Sequence, residues 1–429
     1  MLFCFFIFMN FFFRCSFLNG MIFSSFVIFW CFLILYGLFD KNYSSYQFLY
    51  LKHVVFTSNI QYCFGFGIDG ISFIFILLTT LLFILTYLTG CKYNLFFLTE
   101  YCYCLFSLEI FLIAVFSAID LISFFFLFES VLIPMFLIIG FWGTVNRKVY
   151  ASMLFFLFTL LGSIALLFVI VLLYYDFGTF CFNILNKVEL NNQKELFLWV
   201  LGFISFAVKI PIFPFHIWLP EAHVEAPSVG SVILAGILLK LGGYGILRIL
   251  LSIFSNGCFF FLPLIYVFSI ISILYASLTA IRQLDLKRII AYSSIAHMNI
   301  IVIGLFSNTL EGLLGGTFLM VGHGLVSSLL FFLIGFLYDR YGTRLLIYYA
   351  GLIKTMPLFT FYFLLASLGN IGLPGTSNFI GEFLIFLGIF AKNKILFFYA
   401  LFSVVLTSIY SLCANVIFFS KRDNLLNTF

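Results

Sequence analysis

The run Phe206-Ala207-Val208-Lys209-Ile210-Pro211-Ile212-Phe213-Pro214-Phe215-His216-Ile217-Trp218-Leu219-Pro220-Glu221-Ala222-His223-Val224-Glu225-Ala226-Pro227 decides the fold. Its first half is apolar, yet Pro211 and Pro214 fall inside it. Proline removes a backbone donor and clashes with the preceding turn, so the stretch 196–219 is expected to be an interrupted helix. Lys209 stands just before the break and His216 just after it. A second break, Gly369-Asn370-Ile371-Gly372-Leu373-Pro374-Gly375, divides the apolar stretch 356–391, which is too long for one straight helix. Irregular backbone at membrane depth survives only where protein or a water-lined cavity covers it. Broken helices in corresponding positions of two halves point to an inverted-repeat transporter fold.

Composition places these breaks in a membrane. Of 429 residues, 64% are hydrophobic and only 21 + 16 = 37 are charged. A soluble chain of this length carries roughly a quarter charged residues, about 107. That excludes a water-soluble globule, and disorder needs the opposite composition. The chain is an all-α polytopic membrane protein. Thirteen crossings are expected, at roughly 2–18, 21–39, 70–90, 94–118, 121–143, 149–175, 196–219, 228–251, 259–282, 287–307, 315–338, 356–391 and 395–420, each near the length of about 20 residues that a bilayer needs. The segments 40–69 and 176–195 read as surface loops. Twelve Lys and Arg fall on one side, from Arg14 to Arg422, and seven on the other, from Lys41 to Lys394. The twelve-charge side is therefore the matrix or cytoplasmic one. The 66 Phe residues fit the codon bias of an AT-rich, organellar gene.

Ionisable residues remain inside the spans. They are Glu129, Lys209, Lys240 and Glu382, with His297, His323, His216 and Glu109. A charge at a helix centre costs about 2.5–3.5 kcal/mol, so the first four would cost on the order of 12 kcal/mol if left bare. They must be paired, hydrated or neutral. A register device needs one pair, whereas acid, base and imidazole recur here on many spans. The pattern favours a polar, water-containing path that moves protons. Lysine keeps its proton near a carboxylate: at about 4 Å and an effective dielectric of 20 the attraction is worth ~4 kcal/mol. Opening and closing a Glu129–Lys209 pair would act as a valve.

Other patterns carry less. Gly65-Phe66-Gly67-Ile68-Asp69-Gly70 fits G-x-G-x-x-G, but no βαβ unit surrounds it, so it is no dinucleotide site. Glu221 and Glu225 stand one helical turn apart, where a membrane-surface loop outweighs a metal site. Arg282, Asp285, Lys287 and Arg288 read as a solvated charged connection. Gly236, Gly242, Gly243 and Gly245 suit close helix packing. Ten cysteines are scattered without a C-x-x-C pair, which argues against zinc, haem or iron–sulfur sites. A net charge of +5 gives no reason to expect a nucleic-acid partner.

The opening run resembles the discontinuous-helix signature of the antiporter-like subunits of respiratory complex I. So do Leu239-Lys240-Leu241-Gly242-Gly243-Tyr244-Gly245-Ile246-Leu247-Arg248, Phe128-Glu129-Ser130-Val131-Leu132-Ile133-Pro134-Met135, Tyr292-Ser293-Ser294-Ile295-Ala296-His297-Met298, Gly322-His323-Gly324 and Gly381-Glu382-Phe383. The likeness covers about 65–420. It implies N-terminal helices and a loop over 1–93, inverted five-helix repeats at 94–251 and 259–420, and a tail at 421–429. It implies Glu129 as partner and modulator of Lys209, Lys240 as the connecting central lysine, His297 and His323 as relays, His216 as a further relay, and Glu382 as the terminal group. Glu109 and Asp120 are placed near an entry or a subunit contact. The family likeness also implies a proton-translocating subunit of NADH:ubiquinone oxidoreductase in the mitochondrial inner membrane. NADH, FMN, iron–sulfur clusters and ubiquinone would sit in partner subunits, with none in this chain. The neighbours would be the antiporter-like subunits 2 and 5, and lipids. An Mrp-type cation/proton antiporter subunit and a purely structural assembly subunit are the rival readings. Family members usually have a fourteenth span, which is not expected in this chain.

Overall fold

Proline, glycine and charge placement cut an almost uniformly apolar chain into helices of defined length. The computed structural model describes residues 17–42, 45–57, 60–90, 97–144 and 147–419. Among them, ten helices are long and apolar enough to cross a membrane. With two interrupted helices they account for every expected crossing except 2–18, which lies almost wholly outside the described residues. The chain forms two compact units, Met1–Glu189 and Leu190–Phe429.

In the first unit, α1 (Phe17–Leu38), α2 (Gly70–Gly90), α3 (Leu98–Ser117), α4 (Leu121–Trp142) and α5 (Lys148–Phe177) are the spans. The segment 40–69, expected as a loop without assignable structure, is instead largely an antiparallel pair, β1 (Gln47–Thr57) and β2 (Ile60–Ile68). Both strands are rich in β-branched and aromatic residues, which suit a pleated surface. The glycines of Gly65–Gly70 let β2 approach the α3–α4 corner. Ile119 N–H donates to Gly65 O at 3.2 Å, and Gly65 N–H donates to Asp120 Oδ2 at 2.9 Å. A side chain at Gly67 would press on Ile119 and Leu49. The glycine motif therefore serves backbone contact. Burial pushes the Asp120 carboxyl up to about 6, with the Gly65 hydrogen bond opposing the shift. In α4 a turn falls at Val131, two residues past Glu129. Pro134 has no N–H to offer Ser130, which loosens the helix there.

The second unit holds α6 (Asn192–Lys209), α7 (Trp218–Glu225), α8 (Ser228–Ile253), α9 (Leu262–Arg282), α10 (Leu286–Phe306), α11 (Leu310–Tyr341), α12 (Pro357–Ile371), α13 (Ser377–Lys392) and α14 (Lys394–Phe419). The α6–α7 break falls at the two prolines, and its backbone is satisfied internally. Ile212 N–H reaches Ala207 O, and the Trp218 indole donates to Val208 O at 2.9 Å. The α12–α13 break uses Gly372 and Gly375, both with positive φ. The α11–α13 crossing is built on small residues. Gly381 lies against the Leu319 backbone, and Gly315 against the backbone of Ile385. Without a hydrophobic drive between helices in lipid, such close approach supplies the packing. Gly242 and Gly245 admit Ile210 and Phe206 in the same way, and Gly243 admits Met320. The spans of α8 and α10 are 89% and 94% buried, against 33% for α14. The second unit therefore wraps two central helices, and these carry Lys240, Lys287 and His297 among its buried ionisable groups.

Candidate proton-relay site

Lys240 lies in α8 between two π-helical turns, Leu234–Leu238 and Ile246–Leu250. Such turns are rare and often mark functional positions. Its ammonium donates to Ala235 O at 2.5 Å and lies 2.9 Å from Nδ1 of His323 on α11. The His323 ring centroid is 5.5 Å from that of His297 on α10. Nδ1 of His297 is 3.3 Å from Oε1 of Glu382 on α13. All four side chains are 5% exposed or less. Four helices thus contribute one group each to a row, Lys240–His323–His297–Glu382, in which Lys240 and His323 are within hydrogen-bond distance and the other neighbours are in contact without a hydrogen bond among the described residues.

The line has a definite protonation logic. An ammonium donates and never accepts. A protonated Lys240 therefore requires Nδ1 of His323 to accept, which leaves Nε2 to carry the ring proton. The Nε2 atoms of His323 and His297 are buried without a hydrogen-bond partner among the described residues. Asn378, one turn before Glu382, is fully buried with both amide atoms likewise unpartnered, and its Oδ1 faces Gly322 beside His323. Leaving such atoms bare costs about 1–3 kcal/mol each, and ordered water is the usual remedy in buried polar sites. Gly372 closes the Glu382 end. Its backbone passes so near that any side chain there would press on Oε2 of Glu382.

The remaining expected residues are placed as follows. Lys209 is buried at the last position of α6, directly before the break. His216 lies buried within the break, packed against Phe213 and Tyr275 at ring distances of 5.6 and 5.0 Å; no contact places it in the line. Glu129 belongs to the first unit and is half-buried beside the α4 turn. Glu109 is fully buried on α3 and accepts from the Tyr87 hydroxyl of α2 at 3.0 Å.

Two features were not expected from the sequence. His223 is fully buried on α7, stacked on Phe331 at 4.7 Å, and lies within electrostatic reach of Lys240 and Lys287. Its position seven residues after His216, nearly two helical turns, was the available signal. The expected solvated connection at 282–288 holds for Arg282, which is exposed, and for Asp285 and Arg288, which are partly exposed, but not for Lys287. Lys287 is 1% exposed, and its ammonium donates to Ala226 O at 2.8 Å. Arg344 donates to Val224 O and lies over the Tyr338 ring. Arg288 pairs with Glu221 at 3.2 Å. Three cations thus hold the α7–α8 corner, where the last carbonyls of α7 lack helical donors. Glu221 serves that clamp. Among the described residues no group of three or more His, Cys, Asp or Glu stands where it could hold a metal ion.

Residues 118–407 match the family model described as NADH:quinone oxidoreductase/Mrp antiporter, TM. The chain belongs to this family of membrane subunits. Within it, the chain is 47% identical to NADH-ubiquinone oxidoreductase chain 4 of Marchantia polymorpha, over 91% of this chain and 79% of that one. It is 48% identical to the chain 4 of Arabidopsis thaliana, over 91% and 78%. A chain of respiratory complex I from Thermus thermophilus superposes with a TM-score of 0.86 at 29% identity, over 94% of this chain and 85% of that chain. A chain of an archaeal membrane-bound sulfane sulfur reductase shares the fold, with a TM-score of 0.84 at 23% identity.

Proposed function

We infer that this protein is a proton-translocating membrane-arm subunit of NADH:ubiquinone oxidoreductase, of the subunit 4 type. The observation that carries the reading is the buried row from Lys240 through His323 and His297 to Glu382, contributed by four helices. A proton leaving Lys240 has an acceptor within hydrogen-bond distance, and each later group can both hold and release one. Redox energy enters from partner subunits of the complex, which carry NADH, FMN, iron–sulfur clusters and ubiquinone; this chain supplies no redox centre. Glu129 acts as the partner that holds or frees the Lys209 proton, and His216 and His223 serve as relays flanking the line. The neighbours are the antiporter-like subunits 2 and 5, within the mitochondrial inner membrane.

Lys240→Met in the assembled complex tests this. Redox-linked proton translocation is expected to fall at least tenfold with assembly retained. Unchanged translocation in an assembled complex would remove Lys240 and its line from the mechanism. Lost assembly with an intact proton-to-electron ratio in the residual complex would favour a structural role.

A further inference from the structure

A pocket of ≈ 20 Å³ lies among α10, α11, α12 and α14, and on its wall Ser293 stands one turn before His297 and Asn370 two residues before Gly372, the two residues set against Glu382. One water needs roughly 10–15 Å³ and two to four polar partners. Ser293, Ser367, Asn370, Tyr410 and Ser411 supply them on the cavity wall. Ser293, Ser367 and Ser411 donate to carbonyls of their own helices at 2.8, 2.8 and 2.6 Å; Ser367 Oγ also accepts from the Asn415 amide at 2.6 Å, so Ser293 and Ser411 are the hydroxyls with most acceptor capacity left for the cavity. The Tyr410 hydroxyl is the decisive group. It is 4% exposed, set beside Ser293 and Asn370 and within electrostatic reach of Glu382. Yet no described protein atom completes a well-formed hydrogen bond to it. One turn along α14 from Ala414 on the pocket wall, Phe418 packs on Phe363 at 4.7 Å and on Tyr349 at 6.4 Å.

We propose that this cavity is a single-water site and that Tyr410 is a positioning residue for the end of the proton line. The water holds the phenol, and the phenol serves Glu382. When Glu382 has given up its proton, the Tyr410 O–H turns toward the carboxylate and its oxygen accepts from the water. When Glu382 carries the proton, the phenol donates back to the water or to Asn370. Tyr410 keeps its own proton throughout, so only the direction of the O–H bond changes.

The inference rests on the relay reading, and its test separates the two. In the intact complex, the infrared carbonyl band of protonated Glu382 is identified by its loss in Glu382→Gln. Tyr410→Phe removes one oxygen at constant shape, and Ala414→Leu fills the cavity while keeping the phenol. Both variants are expected to shift that band and to lower redox-driven proton translocation at least threefold. An unshifted band in both overturns the proposal, whatever happens to translocation. A shift with full translocation also overturns it when Lys240→Met abolishes translocation in parallel. If Lys240→Met leaves translocation intact as well, the relay reading has failed and takes this inference with it.

Discussion

Two of the places where the second unit buries cations use them in opposite ways. At the α7–α8 corner, Lys287 and Arg344 each end on a fixed carbonyl, and Arg288 ends on Glu221. Along the line from Lys240 to Glu382, one cation meets a chain of groups that can change protonation, and several ring and amide atoms keep no protein partner. Lys240 and Lys287 are alike in burial and residue type. What differs between them is whether a hydrogen-bonded partner can take a proton: Lys287 ends on the Ala226 carbonyl, whereas Lys240 meets His323 as well as the Ala235 carbonyl. A carbonyl can accept a hydrogen bond but not a proton at neutral pH, so the corner is a clamp. An imidazole can accept both, so the line is a conductor.

The sharpest way to break this comparison is to apply one substitution to both regions. Lys240→Met is expected to abolish translocation. Lys287→Met leaves the Ala226 carbonyl buried and unbonded, a loss of about 1.5–3 kcal/mol for a charged hydrogen bond. It should lower the melting temperature of the purified complex while the surviving molecules keep their proton-to-electron ratio. A changed ratio in Lys287→Met, with normal assembly, would erase the distinction.

A smaller effect is expected where the line meets its backbone support. Gly372 has φ 77°, a conformation that costs an L-residue about 1–2 kcal/mol. Gly372→Ala also places a methyl group against the Glu382 carboxylate. Translocation should drop several-fold while the melting point moves only slightly. A large melting shift with normal translocation would assign Gly372 to folding alone.

The smallest effect lies in the first unit, outside the spans. Asp120 has its carboxyl raised to about 6, above the ordinary value near 4. The folded state therefore holds this proton more tightly than the unfolded one. Its contribution is fully present below pH about 4 and fades as pH rises through about 6. Hydrogen exchange of the Gly65 amide should accelerate across that window beyond its intrinsic pH dependence. Asp120→Asn should remove the excess. An identical profile in the variant would remove Asp120 from the hairpin's stability.

The breaks were readable in the chain because proline and glycine act locally. Pro211 and Pro214 stand three residues apart, and Gly372, Pro374 and Gly375 are crowded together; such clusters interrupt a helix where a lone glycine does not. Lys240, His297, His323 and Glu382 were readable because an ionisable group in an apolar span has few alternatives. The clamp was hidden, since nothing local distinguishes Lys287 from its neighbour Arg288; only the arrival of the α7–α8 corner buries the first and leaves the second half-exposed. The hairpin was hidden for a related reason. Polar residues such as Gln47, Lys52, His53 and Gln61 mark it as lying outside the spans, but the pairing between 47–57 and 60–68 shows up in contacts that sequence spacing does not report.

The π turns on either side of Lys240 make chain length itself a control on chemistry. Each accommodates a surplus residue that an ordinary α-helix would not. Deleting one codon from 234–238 would let that turn tighten to regular geometry, and each residue in an α-helix turns the next by about 100°. The lysine would then swing off His323 with its own identity and every neighbour's unchanged. In this helix a silent-looking indel would disconnect the path as thoroughly as losing the amine.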